Sequence, residues 1–535
     1  MTSPSFLAYV PDPFGVRASL YHLCREDGKH LDLAADKVSA HDGLIVTYDS
    51  ATLVDDLRRA GMPPPSQLVD IGGALRLCAG IPRDEGGEKH WDVWAALAPH
   101  FSNSDKAKYF QAIVESRSDR PDHACIMRML EVAAHAVQDL WFDMVKRLDT
   151  SEELLRFMTV EVPVQSIFSY RQYSGVPIDR ELTETLIQRV ADEKYDAYRA
   201  VASALAKNPT GLNFWNIQQH LSGTDVAHLS HIDDGGRLRE AFKIAAFGSK
   251  FARDFLTYVD ASRDESILQR AMGPDERLHP VFQVMGTVTG RILVSDPYLQ
   301  QLRRAYRKVI SADPNMRLIY LDYGQFEPGI LAFLSGHQHL INAYNNGDLY
   351  TALSERVFGS TEFRSISKRM FLAFCYGMTA DGIAKLVAGQ AGKETEFAAY
   401  REAVEGFFSA FPALEQFRSK MQAHLAKHNF VSSQLGNRRY RTTEGNLTSK
   451  ERRWALNQPV QATASLIFKE ALVALADQFG MNSIMLPVHD AVLMQFESDD
   501  KFESKVRAAE VTMLEAFRRR CPGINARVSI GSFSQ

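Results

Sequence analysis

The sequence predicts a multidomain α+β protein, on three observations. At 535 residues the chain exceeds what one hydrophobic core usually organises, so two to four domains are expected. Short apolar, strand-like runs, LIVTYD at 44–49, RLIYLD at 317–322 and SIMLPVHDAVLMQF at 483–496, are set among long helical patterns. No internal repeat of solenoid length occurs, which removes the extended repeat architectures. Hydrophobic residues make up 45% and charged residues 24%, the balance of a globular chain rather than a disordered one. No apolar run approaches the ~18 residues of a membrane-spanning helix. The opening MTSPSFLAYVPDPFG has neither a basic flank nor a long apolar core, and is not read as a secretory signal. Cysteines 24, 78, 125, 375 and 521 show no metal-type spacing and read as reduced cytoplasmic thiols. With a formal net charge of -4, any nucleic-acid-binding surface must be local.

In chain order, the first ~155 residues mix apolar runs with Pro/Gly breaks such as GMPPPSQ, which predicts alternating strands and helices. Residues 124–147 read as one long amphipathic helix. From Glu161 to Asp275 the pattern is helical and charged, broken at KNPTGLNFW. Beyond it, strand-like runs recur among helices. Domain boundaries are expected near 155 and 275.

Two segments carry candidate metal ligands. RLIYLDYGQFEPGILAFLSG reads as a strand ending at Asp322, a polar turn and a helix. An acid at a strand end can point into a cleft while its backbone stays fixed. SIMLPVHDAVLMQF is a second apolar run, interrupted at its middle by His489 and Asp490. A charged Asp there costs several kcal/mol unless it is paired or binds a cation, and a hairpin with His-Asp at its turn relieves that cost. As neighbours, Asp322 and Asp490 would share two divalent ions for phosphoryl transfer. Mg²⁺ suits a few carboxylates plus substrate phosphates. Each segment alone also fits a plainer reading, Asp322 as a helix cap and Asp490 in a polar turn.

A third segment supplies cations. FRSISKRMFLAFCYGMTADG has helical character through Tyr376, with Gly377 as a stop. Arg364, Lys368, Leu372 and Tyr376 are spaced by four, so they drift only ~40° per step around one face. Such a stripe suits a nucleoside triphosphate lying along the helix, its phosphates on Arg364 and Lys368 and its base near Tyr376. A solvated helix with Tyr376 in the core fits an isolated stripe equally.

Together and in this order, the three segments resemble motifs A, B and C of family A, the DNA polymerase I-like DNA polymerases. DYGQFE (322–327) resembles D-Y-S-Q-x-E with Gly324 for Ser. Arg364, Lys368, Tyr376 and Gly377 match R-x3-K-x7-Y-G, and VHDA (488–491) resembles V-H-D-E. GTVTGRILVSDPYLQQL (286–302), RAYRKVI (304–310), LGNRRYR (435–441) and NQPVQATAS (457–465) resemble further family segments, so the likeness runs from about 160 to 530. It implies a right-hand fold of palm, fingers and thumb. The expected division is thumb at 156–275, palm at 276–338 and 455–535, and fingers at 339–454.

The resemblance implies primer extension with deoxynucleoside triphosphates on primer–template DNA, using two Mg²⁺ ions with Mn²⁺ as an alternative. It makes Asp322, Asp490 and Lys368 catalytic, with the Tyr323 carbonyl completing the metal set. Gln325, Glu327, Tyr350, Arg364, Lys368, Leu372 and Tyr376 would meet the nucleotide, Glu327 crowding the ribose 2′ position. Arg291, Arg453, Asn457, Gln461 and His489 would approach DNA, reading minor-groove acceptors shared by all correct pairs. The clusters Arg303/Arg304/Arg307/Lys308 and Arg438/Arg439/Arg441 would supply phosphate-binding charge. Three departures stand out: Leu372 in place of an aromatic, Tyr350 in place of His, and Ala491 in place of an acid.

In the family a 3′–5′ proofreading domain of ribonuclease H-like fold commonly precedes the polymerase. Residues 44–62 resemble its second motif, yet Leu53 and Asp49 fall where Asp and Asn belong. Arg128 falls near the third motif's Asp, and no D-x-E occurs in residues 1–150. Residues 1–155 are therefore expected to be a degenerate α/β domain without proofreading, Asp55 or Asp56 substituting only in a shifted register. No additional 5′ nuclease domain is expected. The whole resembles phage or prophage-type members and implies the cytoplasm of a bacterium or infected host, with no membrane contact. A single-subunit RNA polymerase lacks the Gln325/Glu327 arrangement, and a non-catalytic relative would have no use for both aspartates with Arg364 and Lys368. Processivity factor, primase or helicase partners are not encoded in these motifs.

Overall fold

The computed structural model describes residues 3–12, 14, 17–101, 104–232, 235–246, 248–273, 275–375, 378, 380–384, 397–409 and 412–533. Five strands, β1 (Ser5–Val10), β2 (Leu20–Arg25), β3 (His30–Leu33), β4 (Leu44–Thr47) and β5 (Gln67–Asp70), form one sheet in the order β3-β2-β1-β4-β5. β1 runs antiparallel to β2 and parallel to β4, which runs parallel to β5. Parallel neighbours need a crossover, and α1 (Ser50–Arg59) supplies the one from β4 to β5. Asp49 caps α1 by accepting from the Thr52 N–H, and Asp70 caps the next helix, α2 (Ile71–Ala79), through Gly72 and Gly73. The long helix read at 124–147 is α3 (His123–Thr150), begun by Asp122 accepting from the Cys125 N–H. Its buried Ile126, Leu130, Ala133, Val137, Trp141, Met144 and Leu148 keep helical spacing and lie on β1 and β2. All six residues of β1 are buried, as a strand covered on both faces requires.

α4 (Val162–Ser174) joins this unit to the rest of the chain. Phe157 and Val162 belong to the N-terminal core, whereas Val164, Ile167 and Phe168 belong to the central one. Arg171 on α4 is fully buried and donates to the carbonyls of Ile484, Gly175 and Asn482. Glu161 sits between Arg156 Nη2 at 3.0 Å and Lys469 Nζ at 2.5 Å, all three buried. Burial pulls the Lys469 ammonium down to about 8.

α5 (Arg180–Leu205) and α6 (Lys250–Ala271) pack against each other as a long helical pair. Leu186, Val190, Ile267 and Leu268 root it in the central core, while Val201, Leu212, Phe242, Phe251 and Phe255 close a separate core at its far end. Arg303 locks the root, donating to Glu193 on α5 at 2.9 and 2.8 Å and to Asp264 on α6.

The central sheet is antiparallel and is built from β6 (Met316–Gly324), β7 (Ile484–Val488), β8 (Ala491–Glu497) and β9 (Arg527–Gly531), in the order β7-β8-β6-β9. Around it lie α7 (Phe326–Ser335), α8 (Leu349–Phe358), α9 (Arg364–Cys375), α10 (Ser449–Phe479) and α11 (Phe502–Arg520). α10 is long and apolar enough to cross a membrane by length and composition alone, but 78% of that window is buried inside the protein. It reads as a core helix.

The start of α10 is fixed by a capping box in which Thr448 and Glu451 satisfy each other's backbone N–H groups. The Glu451 carboxylate also takes Arg441 Nε at 2.8 Å and Thr443 Oγ1 at 2.7 Å. Burial opposes its charge, but these hydrogen bonds bring it down from 4.5 to about 2. A lowered carboxylate stabilises the fold fully above its unfolded value and loses that contribution as pH falls through the folded one. Glu451→Gln should therefore cost about 1–3 kcal/mol at neutral pH. Denaturant midpoints of wild type and variant should converge between pH 4.5 and 2; a gap that persists at the lower end would refute the assignment.

Candidate active site

β6 pairs with β8 in the register that sets Asp322 opposite Ala491. Val488 pairs with Ala491 across the adjacent hairpin, so His489 and Asp490 form its two-residue turn. His489 takes φ +57°, the left-handed backbone that such a turn needs. The Tyr323 N–H approaches the Asp490 carbonyl at 3.5 Å. The hairpin expected from the apolar run thus forms, and it brings the two aspartates side by side from distant sequence. Tyr323 is anchored by its hydroxyl, which donates to the Met513 carbonyl at 2.6 Å, and by stacking on Phe326 at 4.3 Å.

Burial holds both carboxyls above the ordinary carboxylate range. Arg304, Lys368 and Arg307 pull Asp322 partly back, while Arg291 and Lys368 oppose the further rise that Asp322 imposes on Asp490. Burial, with Arg291 and Arg307, lowers His489. Two acids kept partly from water beside each other form a site that a divalent cation would relieve.

The aspartates open on a cleft of about 910 Å³ that also takes in Arg291, Gln325, Glu327, Tyr350, Arg364, Lys368, Leu372 and His489. α9 forms one wall, its exposed Arg364 and Lys368 and half-buried Leu372 facing the cleft at four-residue spacing. Lys368 makes no hydrogen bond or ion pair with a described residue, whereas Arg364 donates to Asp348 at 2.5 and 3.1 Å. Asp348 also caps α8 by accepting from Tyr350 and Thr351. Tyr350 is 3% exposed and its ring lies 5.5 Å below the Arg364 guanidinium. It acts as a platform. Tyr376 and Gly377 lie outside the described residues.

Other expected groups are engaged in ways the sequence did not show. Gln325 takes φ +50° and its Oε1 accepts from the Leu349 N–H at 3.1 Å, tying the strand end to α8. Glu327, 6% exposed, pairs with Arg291 at 2.5 Å. Arg453, Asn457 and Gln461 share one face of α10, and Asn457 Oδ1 is buried without a partner among the described residues. Further along α10, Gln458 and Ser465 hold the 286–302 segment by donating to the carbonyls of Val288 and Gly290. Gly290 has φ +77°, and a Cβ there would sit 3.1 Å from Arg156 Nη2 and 3.2 Å from Asn437 Nδ2. A side chain there would strain the backbone and crowd both groups.

The basic clusters require correction. Arg303 is spent on Glu193 and Asp264, Arg439 on Glu85, and Arg441 on Glu451. Arg307 is buried and donates its Nε to the Leu302 carbonyl. A buried carboxylate captures a nearby guanidinium, and no chain-local pattern records the partner. Arg304 and Arg307 do border the cleft, joined by Arg527 and Ser529 from β9, which sequence reasoning missed. That strand is five residues long and carries no motif.

Comparison with known proteins gives the family and the fold. A family model described as DNA polymerase family A matches residues 238–532. The DNA polymerase I of Chloroflexus aurantiacus is 26% identical over 70% of this chain and 42% of its own length. The thermostable DNA polymerase I of Thermus thermophilus is 27% identical over 75% of this chain and 51% of its own. The chain thus spans about half the length of these curated relatives. A solved structure, the POL domain of Pol1 from M. smegmatis in complex with DNA primer-template and dNTP, superposes with a TM-score of 0.76. It is 22% identical and covers 99% of this chain and 96% of that one. The fold is therefore the α+β right-hand architecture expected, with an α/β unit in front of it.

Removing one of the two crowded acids should stabilise the metal-free protein. At neutral pH an acid whose pKa is raised by folding opposes folding, by about 1.4 kcal/mol for every tenfold weakening of the acid. Asp490→Asn in the presence of chelator should melt higher than wild type and lose stabilisation by added Mg²⁺. A lower melting temperature would show that Asp490 is a structural acid.

Proposed function

We propose that this chain, which belongs to DNA polymerase family A, is a template-directed DNA polymerase that extends a primer 3′ end with deoxynucleoside triphosphates. The observation that carries the reading is the register of β6 on β8. It sets Asp322 beside Asp490 at the foot of a cleft whose facing wall presents Arg364 and Lys368. The donor set fits Mg²⁺, which needs few carboxylates and retains water and phosphate ligands. Mn²⁺ meets the same requirement. Two such ions on Asp322, Asp490 and the Tyr323 carbonyl would supply the charge that activates the attacking oxygen and stabilises the leaving one.

The remaining roles belong to the chain. Lys368, without a partner among the described residues, holds the triphosphate, and Arg364 joins it when phosphate displaces Asp348. Tyr350 supports Arg364 from below. Leu372 packs beside the sugar, and Tyr376 takes the base. Gln325 fixes the strand end against α8, and Glu327, held by Arg291, crowds the ribose 2′ position. Arg291, Arg453, Asn457, Gln461 and His489 line the DNA side, where the unpartnered Asn457 Oδ1 supports contact with a ligand. We assign residues 156–275 to the thumb, 276–338 and 455–535 to the palm, and 339–454 to the fingers. The reading places the enzyme in the cytoplasm of a bacterium or phage-infected host.

Primer extension with Mg²⁺ tests it. Asp322→Asn and Asp490→Asn should each raise the barrier by about 3 kcal/mol or more while duplex binding survives. Turnover above about a tenth of wild type in either would overturn the metal assignment. Lys368→Ala should impair nucleotide use far more than primer–template affinity, and the reverse pattern would displace α9 from the nucleotide. Glu327→Ala should relax ribonucleotide exclusion; an unchanged deoxy/ribo ratio would remove it as a gate.

We also propose that residues 1–155 are a degenerate exonuclease-like domain without proofreading. β1 carries no acid, and Leu53 is fully buried in the core. Arg128 is exposed on α3. The acids present have other work. Asp49 and Asp70 cap helices, Asp55 pairs with Arg58 and Arg59, and Asp56 accepts from Ser19 and Tyr21. Two-metal exonuclease chemistry needs several carboxylates on one phosphate. A mismatched primer incubated with enzyme and Mg²⁺, without nucleotides, should stay intact. Steady 3′–5′ shortening abolished by Asp56→Asn but not by Asp322→Asn would overturn this reading.

A further inference from the structure

On the outer edge of the N-terminal sheet, in a different core from the cleft, the fold gathers one thiol and two imidazoles. Cys24 on β2, His30 on β3 and His135 on α3 each offer one ligand atom, and these atoms all lie within 4.8 Å of one another. Cys24 is 1% exposed, both histidines are exposed, and the two rings are tilted with centroids 4.8 Å apart. The cysteines show no metal-type spacing along the sequence; three separate elements assemble this group.

Hydrogen bonds preset both rings. With His22 neutral, its Nδ1 donates to Asp32 Oδ1 at 2.7 Å, so its Nε2 must accept from His30 Nδ1 at 3.1 Å. That leaves His30 Nε2 with a free lone pair. On α3, His135 Nδ1 lies 3.0 Å from the Glu131 carbonyl, which can only accept, so His135 Nε2 is free as well. An Asp–His relay behind a ring and a carbonyl behind another are the outer partners that orient ligating histidines and raise their basicity.

We propose that Cys24, His30 and His135 bind a borderline-soft divalent transition-metal ion, Zn²⁺ foremost, with solvent in the fourth position. One thiolate and two imidazoles suit tetrahedral Zn²⁺ and are the wrong donors for Mg²⁺. Binding replaces the Cys24 S–H by an S–metal bond and releases one proton to solvent. Because the thiol must give up its proton to bind, affinity falls as pH drops. The ion ties β2 and β3 to α3, stapling the helix over the sheet of a domain that has no acid on its central strand.

The test uses the untagged 535-residue chain, stripped with chelator and titrated with Co²⁺ in excess Mg²⁺. Co²⁺ should bind at one equivalent with a thiolate-to-cobalt charge-transfer band and intense tetrahedral visible bands, both abolished by one equivalent of Zn²⁺. Cys24→Ser should lose the charge-transfer band, while Cys125→Ser and Asp490→Asn keep it. His135→Ala, at an exposed position that should not disturb folding, should weaken binding at least 10-fold, and His22→Ala should weaken it by about 10–100-fold. A wild type without the charge-transfer band, a band that survives Cys24→Ser, or His135→Ala binding as tightly as wild type would overturn the proposal.

Discussion

The antiparallel ladder between β6 and β8 is the constraint on which the rest of the structure depends. It holds two carboxylates together that repel each other and that burial further penalises. A surface loop could not keep them there, because the chain would move apart to relieve the repulsion. A ladder paired from Met316 to Asp322, with its β8 strand buried from Ala491 to Phe496, cannot, since a slip would break that register and displace the buried side chains. The central core thus stores an electrostatic strain at one rim of the sheet.

Everything around that rim is positioned by contacts that begin elsewhere. α10 uses Gln458 and Ser465 to hold the 286–302 segment, which carries the cleft residue Arg291. Gln325 ties the end of β6 to α8, and α8 brings Asp348 and Tyr350 under Arg364. The long pair α5–α6 is rooted by Arg303. The N-terminal unit is joined through the buried Arg156–Glu161–Lys469 set and through α4, whose residues divide between two cores. A buried ion set is costly to break because the partner left behind is uncompensated.

The N-terminal unit keeps a complete mixed sheet while its acids serve other ends. Helix caps occupy Asp49 and Asp70, ion pairs Asp55, and hydroxyl hydrogen bonds Asp56. Apolar packing of β1 against α3 needs no carboxylate, so the fold does not depend on an acid in its central strand. On its outer edge, where β2, β3 and α3 meet, it gathers Cys24, His30 and His135.

The sequence by itself determined the strands and helices that carry the site. A short apolar run ending in Asp322, an apolar run split by the pair His489 and Asp490, and a stripe of Arg364, Lys368 and Leu372 at four-residue spacing are local patterns. Local sterics and burial suffice to express them. Asp322 and Asp490 were therefore legible as acids that needed a reason. Only the tertiary structure decided which cations are available. Arg303, Arg439 and Arg441 look like neighbouring basic residues in sequence, but each meets a carboxylate 10 or more positions away. Arg364 is paired with Asp348, while Lys368, one turn on, is not. Cys24, His30 and His135 likewise become one group only when the sheet closes under α3. Periodicity records which face a residue occupies. It does not record what lies across the gap, because that depends on a partner contributed by a distant element.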